Sequence, residues 1–64
     1  MRYLLMSAIN GRDIYFATLA GVKLYISSVT DFNFVELDRI NNTLDLNEYI
    51  KNSGYQVLDI EKQK

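Results

Sequence analysis

Two runs of apolar and β-forming residues open the chain and flank the dipeptide Asn10-Gly11. The runs extend from Arg2 to Ile9 and from Asp13 to Leu19. Asn-Gly adopts the positive φ angles of a tight type I′ turn at low cost, so this pattern predicts a β-hairpin. A two-residue turn would place Ile9 opposite Arg12 and would thereby fix the register of the two strands.

A third strand is predicted after a weaker turn signal at Ala20-Gly21. Val22, Leu24 and Ile26 alternate with Lys23, Tyr25 and Ser27, which is typical of a strand with one buried face. We expect this face to be covered by the helices that follow. On the two hairpin strands, the same inner face would carry Leu4, Met6, Ala8, Tyr15, Ala17 and Leu19.

The opposite face of this predicted meander is more apolar than an ordinary exposed surface. Exposed apolar patches rich in aromatic residues are typical of protein interfaces. We therefore predict that this outer face binds a second copy of the chain, as a homodimer, or another protein. The alternative is that the second helix or the chain end folds over it as ordinary core. The predicted interface residues are Tyr3, Leu5, Ile14, Phe16, Lys23 and Tyr25.

A short helix is predicted over residues 34–40. Asn33 and Glu36 have the spacing of a capping box, in which each side chain bonds to a free backbone N–H of the first turn. Phe34 and Val35 are also good strand residues, so a fourth strand over the same segment is the alternative.

The clearest helix signal lies between Leu44 and Gly54. Asp45 is predicted to cap the helix, and Glu48, three residues later, to close a capping box. Gly54 would supply the left-handed residue that ends a helix. The segment from Tyr55 to Glu61 is then predicted to be the closing strand.

These elements predict a single domain, residues 1–64, of the α+β class. We expect a three-stranded antiparallel meander, one or two short helices and a final strand, arranged as a two-layer sandwich. A chain of 64 residues hides only about 60% of the surface that its unfolded form exposes. Because it contains no cysteine and no histidine, disulfides and the usual structural metal sites cannot stabilise it, which leaves association with another chain.

The same composition bears on chemistry. Without histidine or cysteine, the usual bases and nucleophiles are missing, and Asp45 and Glu48 are assigned to a helix cap. We therefore expect no enzymatic activity, no cofactor and no metal. The net charge is −1 and the basic residues are spread along the chain, so nucleic acid is not the favoured partner. The alternative is a nucleotide or single-strand binding module that stacks bases on Tyr3, Phe16 and Tyr25.

The amino-terminal apolar run, Tyr3 to Ile9, is too short for a membrane span or the core of a signal peptide. The sequence therefore predicts a cytoplasmic protein that does not associate with membranes.

The amino-terminal hairpin and the ending Glu48-Tyr49-Ile50-Lys51-Asn52-Ser53-Gly54-Tyr55-Gln56-Val57-Leu58 together resemble a group of very small proteins. These are the small uncharacterised proteins encoded in bacteriophage and prophage genomes of low-GC bacteria. The resemblance covers mainly the last third of the chain and carries no functional residue. Many such proteins look like non-enzymatic inhibitors. The resemblance therefore implies that this chain binds and blocks a host defence or housekeeping protein. A purely structural dimerisation domain is a further alternative.

Overall fold

The computed structural model describes residues 2–63. Two hairpin strands come first, three short α-helices follow, and a third strand leads into a 3₁₀ helix. The elements are β1 (Tyr3–Ser7), β2 (Asp13–Phe16), α1 (Leu19–Val29), α2 (Phe34–Asp38), α3 (Thr43–Tyr49), β3 (Tyr55–Asp59) and the 3₁₀ helix Ile60–Gln63. The α+β class expected from the sequence is confirmed.

The sheet has three antiparallel strands in the order β2-β1-β3. The closing strand predicted from the sequence is present, and it pairs with β1 so that the first strand becomes the central one. Leu5 of β1 and Val57 of β3 lie opposite each other, and both belong to the core formed with the helices. The helices therefore cover the face of the sheet that carries these two residues.

Helix α1 occupies the segment for which a third strand was predicted, so that prediction is wrong. Thr18 caps the helix, with its Oγ1 accepting a hydrogen bond of 3.2 Å from the backbone N–H of Gly21. Val22 and Ile26 are fully buried, whereas Leu24 is 59% exposed. Residues four apart share one face of a helix, so the two buried positions fit a helix as well as they fit a strand.

Strands β1 and β2 form the predicted hairpin, but the register is shifted by two residues. Arg12 pairs with Ser7, whose N–H donates to the Arg12 carbonyl at 3.1 Å, and not with Ile9. The loop therefore spans residues 8–11, and Gly11 at its end has a φ of 69°. Ser7 Oγ stabilises this longer loop by accepting from the N–H groups of Ile9 and Asn10, at 3.3 and 3.4 Å. Because side chains alternate, a shift of two keeps the same residues on each face.

Helix α2 confirms the helix predicted after Asn33, and the alternative of a fourth strand is wrong. Asn33 Oδ1 accepts from the N–H of Val35 at 2.8 Å. Leu37 is fully buried on the side of the helix that faces α1 and the core. Glu36 does not complete the predicted capping box at the start of α2. Its carboxylate instead accepts a hydrogen bond from the hydroxyl of Tyr49 at 2.9 Å.

Helix α3 begins earlier than predicted, and Asp45 is not its cap. Asn42 occupies that position, with its Oδ1 accepting from the N–H of Asp45 at 2.8 Å. The Asp45 carboxylate accepts in turn from Asn42 Nδ2 at 3.0 Å, so the pair closes the first turn. The helix ends at Tyr49, and positive φ angles follow at Asn52 and Gly54, 72° and 90°.

Seven side chains, each no more than 1% exposed, make the core between the sheet and the helices. Every α-helix and both β1 and β3 contribute to it, which is why no single element holds this small fold together. Truncating one such side chain to alanine typically costs about 2–5 kcal/mol. The core residues are Leu5, Val22, Ile26, Leu37, Leu46, Ile50 and Val57.

Candidate protein-binding surface

The face of the sheet that was predicted to be open is covered by helices. Leu5 is a core residue with 1% exposure, and Tyr3, Phe16 and Tyr25 are half-buried against the core. The rings of Phe16 and Tyr25 pack on each other, with centroids 5.8 Å apart and planes inclined by 52°. The expectation of an open outer face is therefore wrong, because the segment expected to extend the sheet instead lies across it as α1. The same rings do not form a free platform for stacking bases.

Of the two other residues predicted for that interface, Lys23 is buried and Ile14 is half-buried. Ile14 is half-buried on β2, directly opposite Leu5. Lys23 is only 7% exposed, and its Nζ donates to the carbonyls of Asp38 and Ile40 at 3.3 and 3.0 Å. The ammonium therefore caps carbonyl groups at the carboxyl end of α2, which ties α2 to α1.

The other face of the sheet, which we call the open face, carries Leu4, Met6, Tyr15 and Leu58. Leu4 of the central strand lies directly between Tyr15 of β2 and Leu58 of β3, so an apolar row crosses all three strands. Tyr15 is 55% exposed, and the other three are half-buried. In the described part of the chain, none of the four belongs to the core cluster or packs against it.

Sequence reasoning placed Leu4, Met6 and Tyr15 together on one face, and the structure confirms that grouping. It assigned them to the covered side, however, because the supposed third strand was used to decide which face was inner. The alternation of side chains shows which residues share a face, but the side that the helices cover depends on tertiary packing. Leu58 was recognised only as apolar content of the closing strand.

The outer edge of β3 is occupied by side chains. Asn47 of α3 brackets Val57, with Nδ2 donating to the Val57 carbonyl and Oδ1 accepting from its N–H, both at 2.8 Å. Ser53 Oγ accepts from the N–H of Tyr55 at 3.2 Å. These bonds occupy three of the outward backbone groups that a further strand would need, at the start and in the middle of β3.

The outer edge of β2 is different. Because Ser7 and Arg12 are hydrogen bonded, the backbone groups of Ile14 face β1, and those of Asp13 and Tyr15 face away from the sheet. Both of these residues are exposed. Among residues 2–63, no hydrogen bond to the outward backbone groups of Asp13 or Tyr15 is found. One edge of the sheet is therefore blocked and the other is free.

A groove continues the open face at the end of the sheet. It has a volume of about 460 Å³ and lies between the hairpin loop and the turn that precedes β3, with Met6, Asn52, Gly54 and Gln56 among its lining residues. The backbone of Gly54 has a φ of 90°, and a Cβ there would lie 2.8 Å from Cγ1 of Ile9. Glycine at this position therefore allows the hairpin loop to approach the start of β3.

Two other kinds of feature are absent from the described residues. Within residues 2–63, no three acidic side chains come together in a way that would hold a metal ion. None of the helices in this part of the chain has the length and hydrophobicity needed to cross a membrane. In comparisons with protein-family models, with curated proteins and with solved structures, no match to this chain was found.

Proposed function

We propose that this chain is a small, non-enzymatic protein-binding module and that the open face contacts its partner. The observation that carries the proposal is the apolar row of Tyr15, Leu4 and Leu58, which crosses the whole sheet on the side away from the core. A sheet face without a covering layer leaves such a row in water, where burial against another protein lowers the free energy.

The chemistry of the open face indicates the kind of partner. Polar residues flank its apolar centre at one end, where Asp13 and Gln56 lie opposite Met6 on the two neighbouring strands. An apolar centre with a polar rim is the usual organisation of a protein interface, and tyrosine is a frequent anchor in such sites. The partner is therefore a protein with an apolar contact patch, and the exposed ring of Tyr15 is the anchor.

The sequence resemblance of the Glu48 to Leu58 segment supports a narrower form of the proposal. Small bacteriophage and prophage proteins of this kind look like non-enzymatic inhibitors, so the partner would be a host protein that the module blocks. The site of action would then be the cytoplasm of the host.

The experiment compares two open-face variants with a matched control. Tyr15→Lys and Leu58→Lys each place a charge in the apolar row, whereas Leu44→Lys changes a leucine of α3 that is 79% exposed. The tagged wild-type chain is used to capture and identify a partner from the cells that carry the gene, and the purified partner is then titrated with each variant. We expect both open-face variants to bind at least about tenfold more weakly, or about 1.4 kcal/mol, and Leu44→Lys to bind like the wild type.

Thermal unfolding of the three variants shows whether a loss of binding follows from a loss of structure. We expect similar unfolding temperatures, because all three changes lie outside the core. Open-face variants that bind the partner as tightly as the wild type would overturn the proposal, as would a loss of binding in Leu44→Lys alone.

A further inference from the structure

The two edges of the sheet differ in a way that indicates self-association. Asn47 and Ser53 satisfy outward backbone groups of β3, while the outward groups of Asp13 and Tyr15 on β2 have no partner among residues 2–63. We propose that β2 pairs with β2 of a second copy, antiparallel and about a two-fold axis through Ile14, to give a dimer with a continuous six-stranded sheet. This inference goes beyond the proposed function, because it concerns the sheet edge and a second copy of the chain.

The register follows from which residues point outward. In an antiparallel pairing, the hydrogen-bonded pairs must join outward-facing residues of both strands. Asp13 and Tyr15 are the outward residues within β2, and a two-fold axis at Ile14 places Asp13 opposite Tyr15 of the second copy. Each such pair exchanges two hydrogen bonds, so this one register satisfies all the outward backbone groups of both strands.

The side chains along this edge are compatible with the pairing. Asp13 would face the neutral ring of Tyr15, so no like charges stand directly opposite each other. Beyond the strand, Gly11 would lie opposite Ala17 of the second copy, and both residues are exposed and small. These two positions therefore place no bulky side chain at the ends of the pairing.

Pairing would also join the two open faces. The two Tyr15 rings would be diagonal neighbours across the two-fold axis, a separation of about 7–8 Å that aromatic side chains can bridge. The rows of Tyr15, Leu4 and Leu58 from the two copies would then form one surface of twice the length. Stable interfaces bury about 800 Å² per partner, and a strand of four residues buries less, so we expect a reversible dimer that forms with rising concentration.

The test is sedimentation equilibrium of the full chain from about 10 μM to about 1 mM, a range that brackets weak dimers. Asp13→Pro removes one outward N–H at the first residue of an edge strand, where proline is tolerated. Asp13→Ala is the control, because it removes the same charge and keeps the N–H. We expect the wild type and Asp13→Ala to dimerise with similar affinity and Asp13→Pro to dimerise at least about tenfold more weakly.

Amide hydrogen exchange in the wild-type chain gives a second readout that does not depend on the proline variant folding. The amides of Asp13 and Tyr15 should become protected as concentration rises, while the amide of Val57, already bonded to Asn47, should not change. A chain that stays monomeric to 1 mM, an Asp13→Pro variant that dimerises like the wild type, or exchange at Asp13 and Tyr15 that is independent of concentration would overturn this inference. None of these outcomes bears on partner binding by the open face, which Leu58→Lys tests separately.

Discussion

Asn47 holds Val57 through both backbone groups of that residue, with two hydrogen bonds of 2.8 Å each. The amide side chain thus takes the place of a neighbouring strand and fixes α3 against the edge of β3. Asn47→Ala would leave a buried N–H and carbonyl without these partners, so we expect unfolding to become easier by about 1–3 kcal/mol.

Urea denaturation of Asn47→Ala beside Asn41→Ala measures this effect. Asn41 is exposed, and its replacement should change the free energy of unfolding by no more than about 0.5 kcal/mol. Equal destabilisation by the two variants would show that the two hydrogen bonds between Asn47 and Val57 make no specific contribution to the free energy of unfolding.

The buried ammonium of Lys23 stabilises the fold through carbonyl groups more than through an ion pair. Its Nζ donates to the carbonyls of Asp38 and Ile40 at 3.3 and 3.0 Å, whereas the nearest carboxylate oxygen of Asp38 is 4.0 Å away on a side chain that is 67% exposed. Lys23→Met keeps the apolar stem and removes the donor, so we expect a loss of about 1–3 kcal/mol. Asp38→Asn should cost less than about 1 kcal/mol, since exposed ion pairs contribute little.

Chemical denaturation of the two variants distinguishes these contributions. A larger loss in Asp38→Asn than in Lys23→Met would mean that the charge pair, and not the capped carbonyls, ties α2 to α1.

The hydroxyl of Tyr49 donates to the carboxylate of Glu36 at 2.9 Å. This hydrogen bond, together with partial burial and the negative charge of Glu36, raises the pKa of Tyr49 above its usual value of 10.0. The folded chain therefore holds this proton to higher pH than the unfolded chain. The resulting contribution to stability is complete below about pH 10 and is lost as the pH rises through the folded pKa.

An NMR titration of the assigned Tyr49 ring carbon tests this relationship. Glu36→Gln removes the negative charge, so the pKa of Tyr49 should fall relative to the wild type. Glu48→Gln changes an exposed carboxylate on the helix that carries Tyr49 and should leave the pKa of Tyr49 unchanged. The assignment is wrong if Glu48→Gln lowers the pKa of Tyr49 as much as Glu36→Gln does.

The hairpin, the helix after Asn33 and the closing strand could all be predicted, because their signals are local. The side-chain oxygen of Asn33 accepts a hydrogen bond of 2.8 Å from the N–H of Val35, as expected for a residue that directly precedes a helix. The hairpin register could not be predicted from Asn10-Gly11 alone. Ser7 Oγ supplies bonds to the loop N–H groups, and these favour a longer loop over a two-residue turn.

Helix α1 shows why the covered face was misassigned. Val22, Tyr25 and Ile26 are common in strands, and Lys23 at a buried position breaks the apolar stripe expected of a helix. Its stem lies in the protein interior while its ammonium reaches backbone carbonyls, a use of lysine that periodicity does not show. If this segment is assigned to the sheet, its apolar side chains define the inner face, and the open face of Leu4 and Tyr15 is then predicted to be core.

Leu4 and Leu5 are neighbours on the central strand and provide the most direct test of the central claim, that helices cover one face of the sheet and leave the other free to bind. Leu5 is 1% exposed, whereas Leu4 lies on the open face with Leu58. The measurement is the relaxation of assigned leucine methyl groups by a soluble gadolinium chelate, at a concentration where the chain is monomeric. We predict strong relaxation for Leu4 and Leu58 and little for Leu5. Methyl groups of Leu4 as protected as those of Leu5, or a reversed order, would contradict the account.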